Sequence, residues 1–116
     1  MKIIDYREAE PHVVESGEMK GVVGRIVIGK ADGANNFCMR VFEIPKGAVS
    51  HHHAHAWEHQ VFVYSGRGEV LREGKWVPVQ PGTVVYIPGD EEHQLRNAGD
   101  DPFVFVCLVP SSAPEM

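Results

Sequence analysis

Seven histidines occur in a chain of 116 residues, and five of them fall between His51 and His59. In that segment, Ser50-His51-His52-His53-Ala54-His55-Ala56-Trp57-Glu58-His59, an imidazole sits at every second position from His51 to His55. Alternate side chains of an extended strand share a face, so His51, His53 and His55 point one way and His52 the other. Two imidazoles spaced His-x-His can chelate one ion. His59, at the head of the next strand, and His93, much later, offer a third and a fourth donor. Imidazole nitrogens are typical ligands of zinc, iron, nickel, copper and manganese. An expression tag would be terminal and contiguous, whereas this run is internal and broken by Ala54, Ala56, Trp57 and Glu58. Exposed histidines on a surface strand are the plain alternative on local pattern alone.

The elements that must position these residues read as all-β. Gly and Pro recur every eight to twelve residues, and between them lie short runs rich in Val, Ile, Phe and Tyr. Strands are predicted over Gly21 to Ile28, Asn36 to Ile44, Ser50 to His55, His59 to Ser65, Gly68 to Arg72, Trp76 to Pro78, Thr83 to Ile87, His93 to Asn97 and Phe103 to Val109. Asp32-Gly33, Ser65-Gly66 and Glu73-Gly74 supply residues that accept positive φ, and Pro81-Gly82 and Pro88-Gly89 stop strands sharply. Residues 1–20 form an N-terminal arm, 21–110 one barrel, and 111–116 a tail with little to bury and expected to be mobile.

Composition narrows the function. With 43% hydrophobic and 23% charged residues the chain has the make-up of one globular domain. Sixteen acidic residues against eleven basic ones give a net charge of -5, and no Lys/Arg cluster could neutralise a run of phosphates, which argues against nucleic acid as a partner. No segment has the length of a membrane span or the pattern of a secretory signal, so the expected compartment is the cytoplasm. Cys38 and Cys107 form no CxxC pair and are expected to be free thiols within strands.

Two longer patterns frame the histidines. Gly47-x5-His53-x-His55-x3-His59-x6-Gly66 resembles the first motif of the cupin superfamily, with His59 where the motif has Glu. Gly82-x5-Pro88-x-Asp90-x2-His93-x3-Asn97 resembles the second, with Asp90 where the motif has Gly; Asp tolerates the left-handed conformation better than most residues. The resemblance extends from about Gly21 to Val109 and is closest to the small four-histidine manganese cupins of bacteria. It implies an antiparallel jelly-roll β-barrel holding one divalent metal ion, manganese first, with iron, nickel, copper and zinc as alternatives, on His53, His55, His59 and His93. An alternative register puts Gln60 in the third slot. His51 shares a face with His53, but a two-residue step carries it about 7 Å along the strand, towards the mouth.

Four neutral imidazoles leave the dication its full charge and favour an anionic, chelating ligand. The expected function is a metal-dependent oxidoreductase or dioxygenase acting on a small anionic or aromatic organic substrate, with a non-catalytic binding module as the alternative. By strand parity, Phe103, Phe105, Cys107 and Val109 face the interior, and Leu95 and Asn97 share the face of His93. Leu95, Phe105 and Trp57 are expected to line the pocket, Trp57 as one wall of its mouth. Arg40, surrounded by Phe37, Cys38, Met39, Val41 and Phe42, either reaches solvent at a sheet edge or anchors a substrate carboxylate. Cys107 is a candidate to tune the site, and Glu58 a candidate partner for a histidine N–H. The resemblance also implies a homodimer formed through sheet edges and the N-terminal arm.

Overall fold

A computed structural model describes all 116 residues. Nine strands form: β1 (His12–Val13), β2 (Val23–Ile28), β3 (Phe37–Ile44), β4 (His59–Ser65), β5 (Gly68–Arg72), β6 (Lys75–Val79), β7 (Val84–Ile87), β8 (Leu95–Asn97) and β9 (Phe103–Pro110). The helical content is two short 3-10 turns, Tyr6–Glu8 and Lys30–Asp32. None is long and apolar enough to cross a membrane. Every strand pairing is antiparallel, in one six-stranded sheet ordered β1-β2-β3-β9-β4-β7 and one three-stranded sheet ordered β6-β5-β8.

Alternation along the strands sends one face of each sheet into a shared core. In β4, His59, Val61 and Val63 are buried while Gln60, Phe62 and Tyr64 are exposed. Val61 and Val63 meet Ile44, Phe103, Phe105 and Cys107 from the large sheet and Val70, Val79 and Leu95 from the small one. The predicted inward set of β9 is therefore buried throughout, although Val109 joins Cys38 and Ala113 in a separate cluster. A third cluster of Val27, Val41 and Val104 lies on the opposite face of β2, β3 and β9, where Tyr6 and Ala9 of the N-terminal arm pack against it.

Three sequence expectations are corrected. The predicted strand from Ser50 to His55 is absent as a continuous strand and survives as two isolated bridges, Val49 to Arg96 and His53 to His93. The pairing slips by one residue between them, and the Ser50 hydroxyl, rather than a backbone carbonyl, accepts from the Leu95 N–H at 2.8 Å. The tail has more to bury than its composition suggests: Ala113 is 3% exposed, and Glu115 accepts from the Lys30 N–H at 2.8 Å. Finally, β1 was not expected; its two residues pair with Val23 and Gly24 and carry the arm along the edge of the large sheet.

Candidate metal centre

Backbone pairing between two distant loops assembles the histidines. His53 N–H donates to the His93 carbonyl at 3.2 Å and His93 N–H to the His53 carbonyl at 3.0 Å, so the two residues are locked side by side. Asp90 N–H donates to the His55 carbonyl at 2.6 Å, which ties the turn before β8 to the same segment. Two features of that turn make the approach possible. Asp90 takes the left-handed conformation, φ 65°, as its substitution for Gly requires. Gly89 sits so close to the Ala56 carbonyl that a Cβ there would collide with it. His59 arrives from the inward face of β4, and the exposure of Gln60 excludes the alternative register.

One ring nitrogen from each of His53, His55, His59 and His93 lies within 4.8 Å of the other three. The second nitrogens are partly accounted for. His55 Nδ1 lies 2.8 Å from the Trp57 carbonyl and His93 Nδ1 lies 2.9 Å from the Glu91 carbonyl. A carbonyl only accepts, so both Nδ1 atoms carry hydrogen and both Nε2 atoms present lone pairs. His93 Nε2 is buried with no hydrogen-bond partner. A lone pair so placed among three other imidazoles is what a metal ion would use, and the donor set fits one. Burial lowers the pKa of His53 to about 4, with His93 and His55 adding charge repulsion, and that of His59 to about 3, with Arg40 adding to the effect. Burial also lowers that of His93, against the opposing hydrogen bond to Glu91. These rings are held neutral, as ligands must be.

Residues 40–109 match the Cupin domain family. The chain belongs to the cupin family. Over 114 residues this cupin is 27% identical to the polyketide synthase CurC of Streptomyces cyaneus, covering 98% of this chain and 72% of that protein. Its fold superposes on the polyketide cyclase RemF of Streptomyces resistomycificus with a TM-score of 0.85 at 27% identity, covering 96% of this chain and 80% of that one. It is 39% identical over 69 residues to a glucose-6-phosphate isomerase of Thermococcus onnurineus, covering 54% of this chain. That match spans only 36% of the isomerase.

Beside the histidines this cupin has a cavity of about 300 Å³. Of the residues named from the sequence, Arg40, His51, His53, His59, His93, Leu95, Phe105 and Cys107 line it, whereas His55 does not. Trp57 does not: its ring stacks on His55 at 4.2 Å between centroids and packs towards Cys38, Val109 and Ala113. It supports the outer side of the His55 ring instead of walling the mouth. Glu58 is also reassigned. It is exposed, lies beside the Tyr86 hydroxyl and raises that group's pKa, while backbone carbonyls serve the histidine N–H groups. Asn97 is buried and braces the loops, donating to the carbonyls of Ile44 and Asp101 and accepting from Gly99 N–H. His12, Val14, Met19 and Met116 line the cavity as well. Nothing in their spacing marked them, because they arrive from the arm and the tail.

Arg40 resolves towards the interior. It is 7% exposed and sits opposite Cys107 across β3 and β9. Its Nη2 donates to Cys107 Sγ at 3.1 Å and lies 3.4 Å from His59 Nδ1, and Cys107 Sγ is 3.4 Å from the same nitrogen. His59 Nε2 lies 2.9 Å from His55 Nε2, which is an acceptor, so without an ion His59 carries its hydrogen on Nε2. To hold a metal through Nε2, His59 would take the other tautomer, with its hydrogen on Nδ1 and the Cys107 sulfur, 3.4 Å away, as the acceptor. Burial raises the Cys107 pKa, with Arg40 opposing it.

Proposed function

We propose that His53, His55, His59 and His93 hold one divalent first-row metal ion, manganese first and iron, nickel, copper or zinc behind it. On this reading the site lies at the mouth of a cupin jelly-roll barrel and carries out oxidoreductase or dioxygenase chemistry on a small organic substrate. The observation that carries the reading is the buried, unpartnered Nε2 of His93 among three further imidazoles. A bound ion of this kind supplies Lewis acidity towards a chelating oxygen ligand and, where it is redox-active, a route for electrons to dioxygen. The chain supplies the rest. The Trp57 and Glu91 carbonyls orient two ligand rings, Cys107 receives the N–H of a third, and the apolar cavity walls exclude water from the reacting end. The likeness to RemF and CurC, which bear polyketide cyclase and synthase names, supports an organic substrate of polyketide type.

The partner expected beside the substrate is a second copy of the chain, in the cytoplasm. Exposed Val84 and Tyr86 on the edge strand β7, with Phe62 and Tyr64 on β4, favour association, and two buried free thiols suit a reducing compartment. Size-exclusion chromatography giving a monomer would remove the dimer.

Elemental analysis of tag-free protein, prepared without a nickel column, tests the centre. About one ion per chain in the wild type and its loss in His93→Ala are expected. A folded wild type that neither contains nor takes up metal would overturn the proposal.

A further inference from the structure

The buried guanidinium of Arg40 has no counter-ion. No carboxylate pairs with it, and no acidic side chain lines the cavity it faces. Its Nε is buried with no hydrogen-bond partner, and Nη2 has only a thiol and a ring nitrogen within reach. Removing such a charge from water is strongly unfavourable unless an opposite charge joins it. No acidic side chain in reach supplies the missing anion, which leaves it to a ligand. The rest of the cavity limits what else that ligand carries. Beyond the histidines, Arg40 and Cys107, the inner wall is Phe42, Ile44, Val61, Ile87, Leu95 and Phe105, with the Ser50 hydroxyl already accepting from Leu95. These side chains offer nothing to the hydroxyls of a sugar, and a lone guanidinium is a poor match for a phosphate dianion.

We propose that the cavity binds an organic monoanion with an apolar body, an aryl or alkyl carboxylate or enolate, and that Arg40 is the specificity-determining residue that holds its charged end. A volume of about 300 Å³ is at the small end for organic ligands, enough for one or two fused rings. The proposal rests on the reading of this cavity as the substrate site of the metal centre. It differs from that reading in placing an anion-binding group on the chain itself, so that preference for an anion persists when the metal is removed.

The test titrates full-length protein with 2-naphthoate, its neutral counterpart 2-naphthylmethanol, and glucose 6-phosphate, following ligand fluorescence and displacement, with metal content measured in every sample. Metal-loaded wild type is compared with chelator-stripped wild type, Arg40→Gln and Arg40→Lys. Naphthoate is expected to bind at least about tenfold more tightly than the alcohol in both wild-type samples. Arg40→Gln should lose that preference at unchanged metal content while keeping its affinity for the alcohol, Arg40→Lys should recover part of it, and glucose 6-phosphate should not displace naphthoate. Equal naphthoate affinity in Arg40→Gln and wild type, loss of the preference on stripping, or displacement by glucose 6-phosphate would each overturn the proposal. If Arg40→Gln does not fold, the loaded and stripped wild-type samples decide it. Absence of metal from wild type that still prefers naphthoate would reject the metal centre and leave the Arg40 site standing.

Discussion

Acid should destabilise the metal-free protein well above the pH at which carboxylates titrate. Folding holds His59 neutral down to about pH 3 and His53 down to about pH 4, whereas in the unfolded chain each protonates near 6.5. Between those values the unfolded chain binds protons that the folded chain refuses, so stability falls as pH falls. The contribution is complete above 6.5 and is lost on the way down to the folded values. At pH 5 the linkage on one such histidine amounts to about 2 kcal/mol. His59 is 7% exposed and retains most of that; His53 is half-buried at the mouth, and screening by solvent cuts its share to about 1 kcal/mol. The free energy of unfolding should therefore drop by about 2–3 kcal/mol between pH 7.5 and pH 5. Asp5 and Asp32, held below the usual carboxylate range by hydrogen bonds from Arg7 and Lys2, lose their contributions only around and below 3.8 and do not interfere. Urea denaturation of chelator-treated protein at a series of pH values measures the drop, with His59→Phe alongside to remove about one proton from the slope. A profile that is flat from pH 7.5 to 5, or a slope unchanged in His59→Phe, would refute the reasoning.

Other perturbations separate support from ligation. Asn97→Ala removes three hydrogen bonds from a buried loop junction and should cost about 2–3 kcal/mol in urea denaturation. Gly89→Ala drives a methyl into the Ala56 carbonyl and should weaken metal binding at least about tenfold in competition with a chelating dye, since that turn carries the Asp90 bond to His55. Trp57→Ala takes away the ring stacked on His55, worth about 1 kcal/mol, and should weaken metal several-fold without emptying the cavity of ligand. Ala113→Glu places a charge against Cys38 and Val109 and should lower the Tm by several degrees; an unchanged Tm would mean that the tail is not packed in solution.

Much of the centre was legible because strands impose a period of two. His59, Val61 and Val63 alternate with Gln60, Phe62 and Tyr64; the six-residue spacing to Gly66 favours His59 over Gln60, and the burial of the His59 face agrees with it. At Ser50 to His55 the rule placed the side chains, with the rings of His51, His53 and His55 in successive contact and His52 turned to Glu92, although a one-residue slip in pairing breaks the continuous strand that it assumes. At the slip the Leu95 N–H meets the Ser50 hydroxyl in place of a backbone carbonyl, a tertiary contact with no local signature. Trp57 and Glu58 were misplaced for a related reason: a loop between β3 and β4 has no parity to read, so their directions follow from what they stack on or face. The arm and tail residues at the cavity were hidden because short edge pairing and terminal packing depend on surfaces supplied by the remainder of the fold. Arg40 was legible as an anomaly and not as a direction, because both faces of β3 are apolar.

That last property bears on how β3 finds its place. Val41 packs outward under Tyr6 and Ala9 while Phe42 and Ile44 pack inward, so from Phe37 to Phe42 the hydrophobic pattern alone would accept a shift of one residue, and only Arg40 and, on the outer face, Glu43 paired with Arg25 oppose it. Such a shift would turn Met39 or Val41 towards the histidines and carry the guanidinium away from Cys107. The one charged side chain among these inward positions thus acts as an address label as well as a ligand group: it makes the two alignments unequal. In Arg40→Met the strand should gain freedom to misalign, visible as doubled amide resonances along β3 and β9 even where overall stability is kept; a single set of resonances would show that the neighbouring strands define the alignment unaided.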